Sequence, residues 1–211
     1  LSTAALAYIA GASVLAITVA VIGWRSETPG NLVLFVVITG LGMLAHAYPV
    51  QGFRHQAYQV TLPFIVIAAA TLSAPQLVAF IVLIHLAEQA RLRRRLYIQW
   101  FNLCDYYLSA AAAAAAYQRA TLLLPDDAVG HIAAALSAGC IFVLLNRVLL
   151  AGALWLARGL SPLASGLFQS ELLAADLIIT WVAAPMLVLT LQAGPWMVLV
   201  TAGPLLLARP A

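Results

Sequence analysis

Eight apolar runs, separated by short breaks of proline, glycine and charged residues, constrain this chain to a bundle of helices with lipid as its main solvent. The runs cover residues 4–24, 31–48, 60–72, 76–90, 97–117, 129–157, 168–191 and 195–208. In hydrocarbon every backbone N–H and C=O must be paired inside the protein, and a helix does this within one segment. Charged residues are only 8% of the chain and hydrophobic ones 64%, whereas a soluble domain carries roughly 25% charged residues. The expected class is all-α: a polytopic integral membrane helical bundle forming one domain over residues 1–211, with about eight hydrophobic segments and the lipid bilayer as its first partner.

Arginine placement sets the expected sidedness. Arg91, Arg93, Arg94 and Arg95 crowd into five positions between two apolar runs, the mark of a cytoplasmic loop. Alternating crossings then put Arg54, Arg158 and Arg209 on the same side, leaving Arg25 and Arg119 outside and Arg147 within the membrane. Both termini are expected in the cytoplasm, with Glu27, Asp126 and Asp127 outside, and the location is the plasma (inner) membrane. All ten basic residues are arginines and the net charge is +3; because they sit at span edges, this basic balance does not point to nucleic acid.

Two runs are short. Residues 60–72 and 76–90 reach only about 20 to 22 Å at 1.5 Å per residue, so they are expected to form a hairpin turning at Ala74-Pro75, spanning or re-entrant. A second hairpin turns at Gly194-Pro195, and the pair suggests a weak internal repeat of residues 60–120 and 129–208. The alanines 110–116 offer either a smooth contact face or an ordinary alanine-rich helix.

Ionisable groups inside a bilayer cost about 2.5–3.5 kcal/mol each on insertion scales and need a partner or a purpose. From the cytoplasmic helix ends, Asp105 and Asp176 lie roughly 12 Å deep and Arg147 roughly 15 Å deep, so the three are expected to meet in one layer. Asn102 and Asn146 can join it, with His85, Glu88 and Glu171 nearer the edge. His85 and Glu88 share a helix face, as do Asn102 and Asp105. The candidate ligand-binding or switch residues are thus His85, Glu88, Asn102, Asp105, Asn146, Arg147 and Asp176. Two readings stand: a polar pocket or switch open to the cytoplasm, or an Arg147–aspartate tie that only holds helices in register.

His46 and His85 could each ligate a haem or chlorophyll, but nothing pairs them at a diagnostic spacing, and hydrogen-bonded or interfacial roles are expected, as for His55 and His131. Cys104 and Cys140 read as small apolar residues. No metal site is expected, and the cofactor is left open. Zinc-protease, P-loop and nucleophile-elbow motifs are all lacking; no catalytic residue is assigned and the chain is expected not to be an enzyme.

From residue 60 to 117 the pattern reads Thr71-Leu72-Ser73-Ala74-Pro75, then Glu88, Arg91 to Arg95, Trp100-Phe101-Asn102 and Ser109, followed later by Leu145-Asn146-Arg147 and Gly194-Pro195. This resembles the multi-pass N-terminal membrane region of bacterial signalling proteins whose cytoplasmic part is an HD-type phosphohydrolase or a cyclic-dinucleotide domain. The resemblance implies a sensory or anchoring module that lies before such an effector, with no output residues of its own. Leu1 in place of an initiator methionine, and Ala211 directly after an apolar run, lead to the expectation of a processed or partial chain. Two other readings remain: an accessory subunit of a larger membrane complex, and a small-solute transporter or substrate-binding membrane subunit; a protein partner or an oligomer is compatible with each.

Overall fold

The computed structural model describes residues 1–24, 30–48, 50–51, 57–58 and 60–207. Arg25, Glu27, Arg54, His55 and Arg209, on which part of the sidedness argument rests, lie outside the described residues. Within them, each apolar run forms a helix: α1 (Thr3–Trp24), α2 (Leu32–Ala47), α3 (Leu62–Thr71), α4 (Ala74–Leu92), α5 (Leu96–Leu123), α6 (Ala128–Arg158), α7 (Ser170–Ala193) and α8 (Met197–Leu207). A two-residue antiparallel pair, β1 (Val50–Gln51) with β2 (Ala57–Tyr58), lies between α2 and α3.

Three of these helices, α1, α6 and α7, are long and apolar enough to cross a membrane. The expectation of eight such segments was too high by this measure. α2 and α3 are too short, and α4 and α5 are diluted by Gln76, His85, Glu88, Gln89 and Arg91, and by Gln99, Asn102, Asp105, Gln118 and Arg119. Lipid contact is written most clearly on α1. Only 11% of its most apolar stretch is buried, and Leu6, Val14, Leu15, Ile17, Val21 and Ile22 are each about half exposed or more. An apolar face of that extent in water marks a membrane or partner surface, and the fold as a whole supports membrane association.

At the centre is α3, not a peripheral hairpin arm. Every residue from Leu62 to Ala69 is buried, enclosed by α2, α5, α6 and α7. Pro63 in its first turn needs no helical N–H partner. α4 leaves α3 after Leu72-Ser73 and packs on α2 and α5, so the first expected hairpin is a sequence neighbour pair rather than a packed one. A ten-residue helix is tolerable there because protein, not lipid, surrounds its ends.

Contacts at the helix ends align the bundle. Ser2 Oγ donates to Leu156 O at 2.8 Å, Tyr8 OH to Leu149 O at 3.0 Å and Trp100 Nε1 to Ser13 Oγ at 2.8 Å. The start of α1 therefore lies beside the end of α6 and the start of α5. A cavity of about 350 Å³ there is lined by Leu1, Arg95, Asn102 and Arg158, among others. Arg91 joins the end of α4 to the end of α2 through Ala47 O. Leu1, the four-arginine turn and Arg158 thus share one end of the bundle. Asp127 caps α6 at the other end, accepting from Gly130 N at 2.8 Å.

Candidate functional site

Two buried polar clusters occupy the bundle. The first forms where α2, α4 and α5 meet beneath the arginine turn. Spacing of three puts His85 and Glu88 on one face of α4, and packing of α2 on α4 brings His46, from the last turn of α2, against them. The imidazole centroids of His46 and His85 are 4.7 Å apart and tilted by 52°, too close for a haem plane between them. His46 Nε2 lies 3.5 Å from Glu88 Oε2. Gln99 Nε2 donates to Glu88 Oε2 at 3.1 Å and to His85 O at 2.8 Å, and Arg94 Nη2 meets Glu88 Oε1 at 3.0 Å. Tyr106 closes the cluster edge-on, its ring 5.3 Å from His46 and 4.9 Å from His85.

Both histidines are oriented through Nδ1. A carbonyl can only accept, so His85 Nδ1–H donates to Ile81 O at 2.9 Å, leaving Nε2 of the neutral ring with its lone pair. His46 Nδ1 pairs with Thr61 Oγ1 at 3.3 Å. Nε2 of each histidine is buried without a hydrogen bond, as is Gln99 Oε1.

On its outer side this cluster borders a groove of about 550 Å³ between α1, α4 and α5. Its wall is almost wholly apolar, from residues such as Ile17, Val82 and Leu103, and His85, Gln89 and Gln99 line it chiefly through their apolar atoms. Each of these three carries a buried polar atom without a partner: His85 Nε2, Gln89 Oε1 and Gln99 Oε1. Buried acceptors are normally satisfied, and these three are enclosed behind the groove wall rather than open to it.

No family model, curated protein or solved structure matches the chain. The site must therefore be read from its own chemistry.

The second cluster divides the expected polar layer between two separate pairings. Arg147 binds Asp176 through Nε at 3.2 Å and through Nη2, tying α6 to α7. Asp105 instead accepts from Asn146 Nδ2 at 3.1 Å and from Ser109 Oγ at 3.3 Å, tying α5 to α6. Asn146 and Arg147 are adjacent on α6, so about 100° of helical rotation separates their side chains and sends them to different neighbours. Asn102, expected with Asp105, lies on the wall of the arginine-end cavity instead. Glu171 accepts from its neighbour Ser170 Oγ at 3.2 Å.

The arginine turn also has a structural role. Arg93 takes a left-handed conformation (φ 48°), the only residue other than glycine with positive φ among the described residues. That turn reverses the chain in three residues, so Arg94 O can accept from Gln89 Nε2 at 2.9 Å while the Arg94 side chain reaches Glu88. Arg91 lies over the Tyr48 ring, 3.8 Å from its centroid. Sequence reasoning assigned the turn to topology alone, and it set His46 aside and passed over Gln99 and Tyr106. His85 and Glu88 were legible because they share a helix. His46 is 39 positions away on α2, and no local spacing announces it. Both cysteines are free, Cys104 buried and Cys140 on the outer surface.

Proposed function

We propose that the chain is a membrane-embedded sensory or anchoring module of a signalling protein, taking a small lipophilic ligand into the groove between α1, α4 and α5. The observation that carries this reading is the groove itself. Its volume falls within the range typical of ligand sites, about 300–1,000 Å³, and its walls are almost wholly apolar, as a lipophilic ligand would require. The groove opens beside the exposed apolar face of α1, and in a bilayer that would be a route open to lipophilic molecules. Because α4 runs from the groove to the arginine turn, occupancy would bear on the helix end that an attached cytoplasmic effector reads.

The same proposal takes the chain to be multi-pass in the plasma membrane, with the arginine turn and both termini cytoplasmic. Its sidedness rests on the positive-inside bias and on the gathering of Leu1, Arg95 and Arg158 at one end. In a cysteine-free background (Cys104→Ser, Cys140→Ser), Arg95→Cys is expected to react with a membrane-impermeant maleimide only after cells are permeabilised. Labelling in intact cells would reverse the sidedness.

Filling the groove tests the ligand. Wild-type protein extracted in mild detergent is expected to carry a small apolar compound detectable by mass spectrometry, and Val82→Trp is expected to lose it while keeping its helical circular dichroism. An equal load in Val82→Trp would refute the groove. Co-purification with another membrane protein at fixed stoichiometry would favour the accessory-subunit reading. Solute uptake by reconstituted vesicles, abolished by Asp105→Asn or Asp176→Asn, would favour transport.

A further inference from the structure

We infer that His46, His85 and Glu88 form a binding site for a divalent first-row transition metal, with zinc as its reference occupant. One ring nitrogen from each histidine and one carboxylate oxygen of Glu88 lie within 4.8 Å of one another. Metal–nitrogen and metal–oxygen bonds of about 2.0–2.2 Å at tetrahedral angles hold donor atoms roughly 3.3–3.6 Å apart. The 3.5 Å between His46 Nε2 and Glu88 Oε2 is already such an edge, and the remaining separations close with a movement of about 1 Å. Two imidazoles and a carboxylate suit zinc, cobalt or iron(II), and disfavour the all-oxygen preference of magnesium and calcium.

Three independent features separate this cluster from a chance meeting of polar side chains. All three donors are buried: His85 is 1% exposed, Glu88 6% and His46 9%. Each histidine has its far nitrogen held by an oxygen, Ile81 O for His85 and Thr61 Oγ1 for His46, the outer-shell arrangement that orients metal-bound imidazoles. Neither Nε2 makes a hydrogen bond, and His46 Nε2 has the 3.5 Å contact with Glu88 Oε2 beside it, an arrangement a metal would complete. Glu88 divides its oxygens in the same sense: Oε1 faces Arg94, and Oε2 faces His46 and Gln99. The Arg94 side chain is 42% exposed, so the carboxylate can be neutralised from the solvent side while its inner oxygen stays available. Three protein donors leave at least one coordination position for water or a ligand group. The site lies against the groove but does not depend on it, since His46 and Glu88 are not on the groove wall.

The test uses the full chain, purified in detergent without a histidine tag, stripped with chelator and titrated with Co²⁺. Expected are one equivalent bound at micromolar Co²⁺, visible ligand-field absorption of four- or five-coordinate cobalt, and loss of that colour on adding Zn²⁺. X-ray absorption of the zinc form is expected to show imidazole scattering and no sulfur shell, reading the ligands in the wild-type protein without any substitution. His46→Gln, His85→Gln and Glu88→Gln should each weaken binding on the order of 100-fold or more, above the 10–100-fold usual for an outer-shell partner. Cys104→Ser with Cys140→Ser, and His131→Ala at the opposite end, should leave binding unchanged. Val82→Trp should empty the groove of its compound yet still bind Co²⁺, so failure of the metal site and failure of the groove are separate results. Lack of stoichiometric binding by the wild type, a sulfur shell, or unchanged binding in His46→Gln/His85→Gln would overturn the inference.

Discussion

Replacement of Arg147 by methionine is expected to destabilise the bundle by about 3–5 kcal/mol, because it leaves the Asp176 carboxylate buried without its counter-charge. Both side chains are under a tenth exposed, so water offers little relief. The double replacement Arg147→Met/Asp176→Leu should recover most of the loss, since a buried ion pair exchanged for apolar residues of similar volume is often neutral. Thermal unfolding in detergent, followed by circular dichroism, measures both. At about 2–4 °C per kcal/mol for a chain of this size, the single variant should melt roughly 10 °C lower. A single variant as stable as wild type would show that Asp176 takes up its proton or finds another partner at no cost. The pairing then could not be what holds α6 to α7.

Gly139→Ala is expected to cost about 1–3 kcal/mol, the usual range for overpacking a filled interior. A Cβ at Gly139 would lie 2.2 Å from Thr180 Cγ2 and 3.2 Å from Thr180 Cβ. Thr180 cannot simply rotate away, because its hydroxyl donates to Asp176 O at 2.8 Å. Adding Thr180→Ala removes the clashing methyl and should return most of the stability. Asp176 is the residue to which Thr180 is bonded, so Gly139→Ala should also be non-additive with Arg147→Met. Strict additivity in that double-mutant cycle would mean that helix spacing and the ion pair are independent.

These expectations show what could be read from the chain before its fold. Helix positions were legible to within a few residues, since Pro125-Asp126-Asp127, Gly159 and Gly194-Pro195 punctuate apolar runs long enough to be unambiguous. α5 was read as ending at Tyr117 but continues to Leu123, because Gln118 and Arg119 look like a span edge although the backbone there is still helical. Hydropathy also undervalues α4 and α5, whose polar residues are turned toward one another inside the bundle. Glu88, Gln99 and Asp105 are 6%, 7% and 2% exposed; a sum along the sequence counts them as though they faced lipid.

The candidate site divides in the same way. Arg147, Asp105 and Asp176 stood out because isolated charges in apolar helices are costly, and depth along each helix put them at similar levels. Depth does not fix azimuth, so which aspartate the arginine meets was not in the sequence. That choice came from the rotation of α6 between α5 and α7. His46 is the sharper case. On its own helix it reads as a histidine near a span end, and it joins a cluster only because α2 packs against α4.

The sequence by itself determined the all-helical, largely apolar character of the chain and the concentration of arginine at one turn, since those follow from local hydrophobicity and from backbone hydrogen bonding within a segment. Tertiary structure alone decided that α3 is the enclosed centre, that Arg147 meets Asp176 and Arg94 meets Glu88, and that His46, His85 and Glu88 converge. Such convergence depends on which helix faces meet across many intervening residues, and side-chain packing settles that where linear spacing carries no information.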